Sequence, residues 1–379
     1  MNVRTMVRSG QRAVVLVTAL ALAALPQTAQ ASVSETTEST PRVNGPIYAI
    51  AQVGDLTIIG GQFTTVGGKP RANAAAIRAD GTVDPGFAPD PDGIVRAVAG
   101  SADGSTVYLG GRFDNTGGTA RANVAAVSAT SGAALPAWQA DTTGGSPSVH
   151  ALTRVGDRLF VGGSYSGIDG TVRASMVALD TAGNVISSFR SRANGLVRAI
   201  RVSPDGTKVY AGGSFSKIGG ADRGFGVGEI LATNGDATSF NPSTGGALAI
   251  TLGLSPDGSR LYFSTPDNML YAYDVASDSP AWSRKSAGDV QAIAQSDTEL
   301  YVGGHFSQFT IGSSKIKRHF LASLNPADGT MTPWDPDPQG GDNGVWAITL
   351  TPTALLAGGT FTTVKGVERV RFASFAGTP

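Results

Sequence analysis

The stretch Gly110-Gly111-Arg112-Phe113, followed eight residues after the phenylalanine by Arg121, is one copy of a motif that recurs along this chain of 379 residues. Five copies keep that spacing, and a sixth has its arginine four residues later. The fixed positions of the six copies are Gly60, Gly61, Phe63 and Arg71; Gly110, Gly111, Phe113 and Arg121; Gly162, Gly163, Tyr165 and Arg173; Gly212, Gly213, Phe215 and Arg223; Gly303, Gly304, Phe306 and Arg318; Gly358, Gly359, Phe361 and Arg369. Because such a repeat is one structural unit used many times, it decides the architecture.

The motif lies inside a longer unit of about fifty residues that occurs seven times from Ile47 onward. Each unit opens with a short apolar run that predicts an inner strand, at residues 47–53, 94–99, 149–155, 196–202, 247–254, 290–294 and 345–350. Five units continue with an Asp-Gly or Gly-Asp pair, which tolerates positive φ and favours a hairpin turn. The second strand then runs into the glycine pair and is apolar on both faces, which predicts sheets stacked against one another.

A third strand follows the arginine, and a fourth segment ends in an aromatic residue in six units: Phe87, Trp138, Phe189, Phe240, Trp282 and Trp334. Four strands per unit, seven units and no helical periodicity predict an all-β fold, a seven-bladed β-propeller of four-stranded antiparallel blades. A β-solenoid is the alternative, but its repeats are usually shorter and have fewer hairpin turns. The fifth unit is degenerate, because residues 264–267 replace the motif and no arginine follows at the expected place.

The seventh unit ends after its third strand, near Phe375. The residues before the first inner strand have the form of a junction between two units, so we expect segment 32–46 to supply the missing strand, with about residues 33–43 paired. This pairing would close the ring, since a circular array of sheets otherwise leaves an unpaired edge. The predicted propeller is then residues 47–379, with blades starting near 47, 94, 149, 196, 247, 290 and 345.

Residues 1–31 have the form of a signal peptide. Three arginines precede an apolar run at residues 13–25, and Ala29-Gln30-Ala31 matches a cleavage site. The run is shorter than the ~20 residues that span a bilayer, and no other stretch is long enough. We therefore expect a secreted monomer without a membrane span, with an uncleaved anchor as the alternative.

The composition of the remaining chain excludes several classes of function. Without residues 1–31 the formal net charge changes from 0 to −3, because three arginines and no acids are removed. A nearly neutral surface argues against nucleic acid as the main partner. The chain has no cysteine, so the fold depends on its packed core, and thiol catalysis and cysteine metal sites are excluded.

The repeated glycines and arginines have structural and functional interpretations. Glycine within a strand marks a bulge or a close backbone approach, and the following Phe or Tyr can fold over the space. A phosphate-binding loop is the alternative, but it needs a helix that the pattern lacks. The arginine has five donors that can tie loop carbonyls, or the six copies could form a ring for anionic ligands. We expect the fastening role, because a ligand site normally needs unequal positions.

Acidic residues cluster where one unit passes into the next, at Asp90 and Asp92 and again at Asp335 and Asp337. Alternating carboxylates can bind calcium, but the interleaved prolines and the absence of a terminal Glu favour turn chemistry. The chain has three histidines, and none has the spacing of a metal site. We therefore predict no catalytic residue and no cofactor, with calcium at these aspartates as the alternative.

The pattern Gly-Gly-x-Phe-x(4)-Gly-x(2)-Arg-x-Asn-x-Ala, clearest from Gly60 and from Gly110, resembles the delta-60-type β-propeller repeats of secreted bacterial proteins, whose function is unknown. The resemblance extends from Ile47 to Phe375 apart from the fifth unit. The glycine pair is also similar to that of kelch propellers, some of which are oxidases with copper and a cysteine-modified tyrosine. Because cysteine is absent, the resemblance implies the propeller fold and no catalytic residue.

We expect a non-enzymatic binding or scaffold propeller that recognises an extracellular protein or a cell-envelope glycan through loops on one face. The least regular loops are residues 140–148, 309–318 and 333–343. The candidate contact residues in them are Lys315, Lys317, Arg318 and Trp334, with a solvated loop as the alternative for the basic residues. The alternative function is an extracellular polysaccharide lyase or hydrolase acting at the mouth of a central channel. Convergent His, Tyr and acidic groups there would favour the enzyme, whereas Ala, Val and Thr would favour binding.

Overall fold

The computed structural model describes residues 33–224, 226–242 and 246–378. The predicted signal peptide, residues 1–31, lies outside the described residues. Those residues form strands, bridges and turns without a helix, so the all-β prediction is confirmed. In the same ranges there is therefore no helix long and apolar enough to cross a membrane.

Each sequence repeat builds one antiparallel sheet in which the second strand lies between the first and the third. The inner strands are Ile47–Val53, Ile94–Gly100, Ser148–Val155, Leu196–Val202, Thr251–Leu254, Val290–Gln295 and Val345–Leu350. The second strands are Leu56–Gly61, Thr106–Arg112, Arg158–Ser164, Lys208–Ser214, Arg260–Thr265, Leu300–Gly304 and Ala354–Gly359. The third strands are Ala74–Ile77, Val124–Ser128, Met176–Leu179, Val227–Leu231, Met269–Asp274, Leu321–Leu324 and Phe372–Ala376. The fifth inner strand begins four residues later than predicted, because Ala249 N donates to Gly213 O of the preceding repeat instead (3.0 Å).

A short hairpin follows the glycine pair in six repeats. Its strands are Thr65–Val66 with Lys69–Pro70, Asn115–Thr116 with Thr119–Ala120, Gly167–Ile168 with Thr171–Val172, Lys217–Ile218 with Ala221–Asp222, Gln308–Ile311 with Ser314–Lys317, and Thr363–Val364 with Val367–Glu368. Two junction strands, Thr142–Thr143 and Pro338–Gln339, pair with the hairpins of the third and seventh repeats. The sixth hairpin is longer than the others, which explains why Arg318 comes four residues late.

The prediction of four strands in every unit is wrong. In five repeats the fourth segment makes a single bridge to the third strand, for example Val83 to Ile77, and then turns away. In the first repeat Asp84 Oδ1 accepts hydrogen bonds from Gly86 N and Phe87 N, and Pro85 has no N–H for a strand ladder. The segment therefore folds as a turn.

The fifth repeat alone has a full fourth strand, Ser279–Ser286, although its sequence lacks the motif. At Lys285 and Ser286 this strand also pairs with the hairpin of the sixth repeat, so the sheet continues to six strands. The hairpin and its arginine are absent from this repeat, which leaves the edge of Met269–Asp274 free to pair with a long strand.

The core lies between neighbouring sheets. One cluster joins Tyr108 and Trp138 of the second repeat to Val149 and Val161 of the third. In five repeats the aromatic residue of the fourth segment packs on a second-strand aromatic of its own repeat, as between Tyr301 and Trp334, whose rings are 5.3 Å apart. This placement buries the large aromatic side chains between sheets that are apolar on both faces, as the sequence predicted.

The first and last repeats share a core cluster of the same kind, in which Ile47 and Ile59 pack with Ala347 and Leu356. A hydrogen bond from Thr349 Oγ1 to Ile50 O also joins the two inner strands (2.7 Å). The first and seventh sheets are therefore in direct contact.

The N-terminal segment lies along the third strand of the seventh repeat. Ser34 N donates to Ala376 O (2.8 Å) and Glu38 N donates to Ser374 O (2.9 Å). Val33 is buried among Trp334 and other residues of the sixth and seventh repeats. The segment thus occupies the position that a fourth segment has in the other repeats.

Candidate functional site

The glycine pair lies opposite an irregularity in the inner strand. In the first repeat Ile47 pairs with Gly61 and Ala49 pairs with Gly60, so the intervening Tyr48 is an extra, bulged residue. The same register shift occurs in every repeat that has the motif. The sequence prediction that the glycines mark a bulge and a close approach is confirmed.

Each glycine of the pair is required by space and not by its φ angle. A Cβ atom on Gly110 would lie 2.6 Å from Val149 Cγ1 of the next repeat, and one on Gly111 would lie 1.9 Å from Ile94 O. Real side chains do not tolerate such distances. The pair therefore lets the next sheet pack closely on one side and lets the bulged strand approach on the other.

The bulged residues form an unequal set, although the motif that creates the bulge is constant. They are Tyr48, Arg96, His150, Arg198, Gln291 and Trp346. The Arg96 guanidinium carbon lies 5.4 Å from the centre of the Tyr48 ring, and the rings of Tyr48 and Trp346 meet edge to face at 5.5 Å. Unequal side chains at equivalent positions are what a ligand site needs in a repeat protein.

Four of these six side chains line a cavity of about 200 Å³, to which the inner strand of every repeat contributes. Tyr48, His150, Arg198 and Trp346 line it, and no Asp or Glu does so among the described residues. The residue after each of the six bulges is alanine, which gives the cavity a layer of Ala49, Ala97, Ala151, Ala199, Ala292 and Ala347, and the fifth repeat adds Thr251 to the lining. The cavity therefore combines a narrow apolar layer with a polar, positively charged group of side chains.

The charges of this group act on one another. Burial, and to a smaller extent the positive charges of Arg96 and Arg198, lower the pKa of His150 to about 4, so the imidazole is neutral at pH 7. Partial desolvation and then the charge of Arg96 lower the pKa of Arg198. Neither guanidinium has an acidic partner among the described residues. The site thus carries two uncompensated positive charges beside a neutral histidine.

Two buried polar atoms at the bulge positions lack a hydrogen-bond partner in the structure, Trp346 Nε1 and Gln291 Oε1. One is a donor and the other is an acceptor. Leaving such groups unpaired in a folded protein costs about 1–3 kcal/mol each. Trp346 lines the cavity, whereas Gln291 is not among its lining residues.

The repeated arginine makes the contacts that a fastener needs. Arg121 donates through Nη1 to Ala120 O (2.7 Å) and through Nη2 to Leu135 O (3.0 Å) and Pro136 O (3.2 Å). The other copies bind the preceding carbonyl and the fourth segment in the same way, and in the seventh repeat Arg369 Nη2 reaches Thr37 O of the N-terminal segment (3.4 Å). The six guanidinium groups are engaged with carbonyls and do not form an open ring for anions.

Two of the predicted contact residues, Trp334 and Arg318, make contacts within the molecule. Trp334 is only 6% exposed, and its Nε1 donates to Ser34 O (3.2 Å). Arg318 has the fastening contacts of the other copies, to Lys317 O and Thr332 O, and pairs with Asp335 (3.3 Å). Packing inside the molecule uses both side chains, and their contact with a partner stays a prediction.

Lys315 and Lys317 lie on the outer strand of the long sixth hairpin and are exposed. Their contact with a partner stays a prediction. The sequence analysis assigned them to an irregular loop, whereas the structure places them on the strand Ser314–Lys317.

The aspartates considered for calcium accept hydrogen bonds from the protein. Asp90 Oδ1 accepts from Ala72 N (3.0 Å), and Asp92 Oδ1 accepts from Asp114 N and Asn115 N (2.8 and 3.0 Å). Asp335 and Asp337 contact Arg318 and His319. No group of three or more His, Asp or Glu side chains in the described part of the chain is arranged to hold a metal ion. These contacts are typical of turns between repeats.

The sequence analysis missed the bulged residues, although the sequence contains a signal for them. In six repeats a varied residue stands between an aliphatic residue and alanine, as in Val95-Arg96-Ala97 and Val149-His150-Ala151. A position that varies inside an otherwise constant pattern is the natural place to look for specificity. The sequence around His150 has no metal-ligand spacing, and the charged residues that act on it, Arg96 and Arg198, come from other repeats.

The comparison with protein families gives one match. A family model described as a domain of unknown function (DUF5122) beta-propeller matches residues 57–87, which cover the second strand, the hairpin and the third strand of the first repeat. No curated protein matches the chain. Together with the repeated antiparallel sheets, the match identifies the unit as a β-propeller repeat.

Proposed function

We propose that the chain is a seven-bladed β-propeller whose ring is closed by the N-terminal segment. The packing of the first and last repeats supports closure, since a Cβ atom on Gly358 would lie 2.5 Å from Ile47 Cγ2, the same approach that Gly110 makes to Val149. The pairing of Ser34 and Glu38 with the last sheet supports the role of residues 33–43. In this arrangement the cavity lined by the inner strands is the central channel.

The function that the site supports best is binding. The protein is a secreted recognition or scaffold propeller, and it takes part of an extracellular glycan or protein into the mouth of its channel. The observation that carries this proposal is the convergence of four unequal side chains from the repeated bulge, Tyr48, His150, Arg198 and Trp346, on one cavity that also has a layer of alanines. Small channel residues favour binding over catalysis, and carboxylate pairs for glycoside hydrolysis are absent from the lining of the described cavity.

A substitution that fills the channel tests the proposal. Ala199→Leu places a larger side chain in the cavity, whereas Ala120→Leu makes the same change at an exposed hairpin position. We expect the mature protein to bind members of a panel of extracellular glycans and peptides, the Ala199→Leu variant to lose that binding, and the Ala120→Leu variant to keep it. Binding that survives in a folded Ala199→Leu variant would place the recognition surface elsewhere.

The second candidate is a polysaccharide lyase, favoured by the presence of Tyr48 and neutral His150 at one cavity with two arginines. A lyase removes the proton next to a uronate carboxylate and expels the sugar oxygen, so that a carbon–carbon double bond forms and the oxygen leaves with a proton. Incubation with acidic polysaccharides should then produce ultraviolet absorbance from that double bond. An unchanged spectrum together with retained binding leaves recognition as the function.

A further inference from the structure

We infer that the bulge cluster at the mouth of the cavity binds a carboxylate-bearing sugar residue, such as a uronate, with Arg96 and Arg198 facing the carboxylate. This inference rests on the proposed binding function and names its ligand class. It depends on three features of the cluster: its uncompensated charge, its unpaired hydrogen-bonding groups and its size.

The charge favours an anion. Arg96 and Arg198 come from two different repeats, and the residue between them in the order of repeats is His150, whose titration both charges affect. None of the three has an acidic partner in the described ranges, and no carboxylate lines the cavity there. Arginine presents paired N–H donors that match the two oxygens of a carboxylate. Arg198 lines the cavity, and Arg96 lies over the ring of Tyr48, which also lines it, so both guanidinium groups are near the cavity.

The remaining side chains suit a sugar ring better than a simple ion. Trp346 and Tyr48 lie in edge-to-face contact at the opening, and both have apolar faces that can pack on the C–H groups of a pyranose. Trp346 lines the cavity and its Nε1 is buried without a partner, so this indole N–H can donate to a ring hydroxyl.

The size of the cavity limits the ligand. A volume of about 200 Å³ is below the ~300–1,000 Å³ of sites that enclose a drug-sized molecule. One sugar residue or one terminal carboxylate can therefore enter, and a longer chain has to extend outward over the opening.

Calorimetric titration of the mature protein with glucuronate and with glucuronamide tests the inference, because the two sugars differ only at the carboxylate. We expect glucuronate to bind at least tenfold more tightly and its affinity to fall with added salt. Arg96→Gln combined with Arg198→Gln should abolish the difference. Arg112→Gln, at an exposed position on a second strand, should leave it unchanged. Thermal melting of each variant verifies that it is folded.

Other outcomes separate the inference from the proposed function. Equal binding of glucuronate and glucuronamide, lost in Trp346→Ala and kept in the double arginine variant, would overturn the carboxylate inference and leave sugar binding in place. Acetate or inorganic phosphate binding as tightly as glucuronate, or a peptide with a free C-terminus binding more tightly, would overturn the sugar assignment. Absence of glucuronate binding overturns the inference, and absence of every ligand from the wider glycan and peptide panel overturns the proposed function as well.

Discussion

Arg121 shows how one side chain of the repeat joins two parts of its unit. It is 4% exposed and donates to three carbonyl oxygens, one next to it and two in the fourth segment. The fourth segment is a turn with a single bridge to the sheet, so these hydrogen bonds are a large part of what holds it. Arg121 therefore makes the contacts that the predicted fastening role requires.

Replacing Arg121 with alanine should lower the free energy of unfolding by about 2–3 kcal/mol, because several hydrogen bonds from a charged, buried donor are lost together. Urea denaturation followed by fluorescence measures the change. The matched substitution Arg112→Ala, at an exposed position nine residues earlier, should change stability by less than about 0.5 kcal/mol. A fully stable Arg121→Ala variant that had lost ligand binding would instead assign the repeated arginines to a ligand site.

His150 should make stability depend on pH. Its pKa is about 4 in the folded protein and near 6.5 in the unfolded chain, so the unfolded chain binds more protons between these values. The contribution of this histidine to the free energy of unfolding is fully present above about pH 6.5 and is lost as the pH falls towards 4. The loss amounts to up to about 3 kcal/mol, because one pKa unit corresponds to about 1.4 kcal/mol.

The substitution His150→Gln should flatten the stability curve in that pH window, which denaturation at a series of pH values measures. Arg96→Gln should raise the pKa of His150 in an NMR titration, but not to 6.5, because burial is the larger cause. A normal pKa of His150 in the unaltered protein would show that the imidazole is not enclosed by the cluster.

At the scale of elements, the inner, second and third strands could be predicted because alternation, turn dipeptides and the glycine pair are local signals. The behaviour of the fourth segment could not be predicted from such local signals. Its apolar ending in Phe87 or Trp138 looks like a strand, but proline and side-chain hydrogen bonds to the backbone turn the chain, and the aromatic ring reaches the core from the turn. The degenerate fifth repeat, with no such turn, is the one that forms a full strand.

Deleting residues 33–43 should lower the melting temperature by several degrees. The deletion exposes the edge of Phe372–Ala376, removes Val33 from the core and leaves Arg369 without its contact to Thr37. Differential scanning calorimetry measures the change.

A synthetic peptide of residues 33–43, added in excess to the shortened protein, should restore much of the lost melting temperature, because binding to the folded state stabilises it. A peptide of the same composition in scrambled order serves as the control. If the shortened protein melts at the original temperature, the segment does not complete the last sheet.

At the scale of the whole molecule, the first and last repeats are linked in the same way as two consecutive repeats. Thr349 Oγ1 donates to Ile50 O across the last and first inner strands (2.7 Å), and Thr153 Oγ1 donates to Ile200 O across the third and fourth (3.1 Å). Because these two hydrogen bonds are equivalent, removing each of them in turn can test whether the ring is closed.

Thr349→Val and Thr153→Val remove matched hydrogen bonds while keeping the shape of the side chain. In a closed ring both should lower the free energy of unfolding by a similar amount, about 1 kcal/mol. In an open array only the Thr153 substitution would have an effect. Equilibrium urea denaturation of the two variants decides between these cases.

The sequence by itself determined the repeated unit, its strands and turns, the buried aromatics and the crowded glycine positions, because each of these depends on residues within about fifty positions of one another. Only the tertiary structure decided which residues form the candidate site. Tyr48, Arg96, His150, Arg198, Gln291 and Trp346 are separated by whole repeats, and each alone is an ordinary strand residue. They become a site because the glycine pair forces a bulge at one level of every regular inner strand and the strands then surround one cavity.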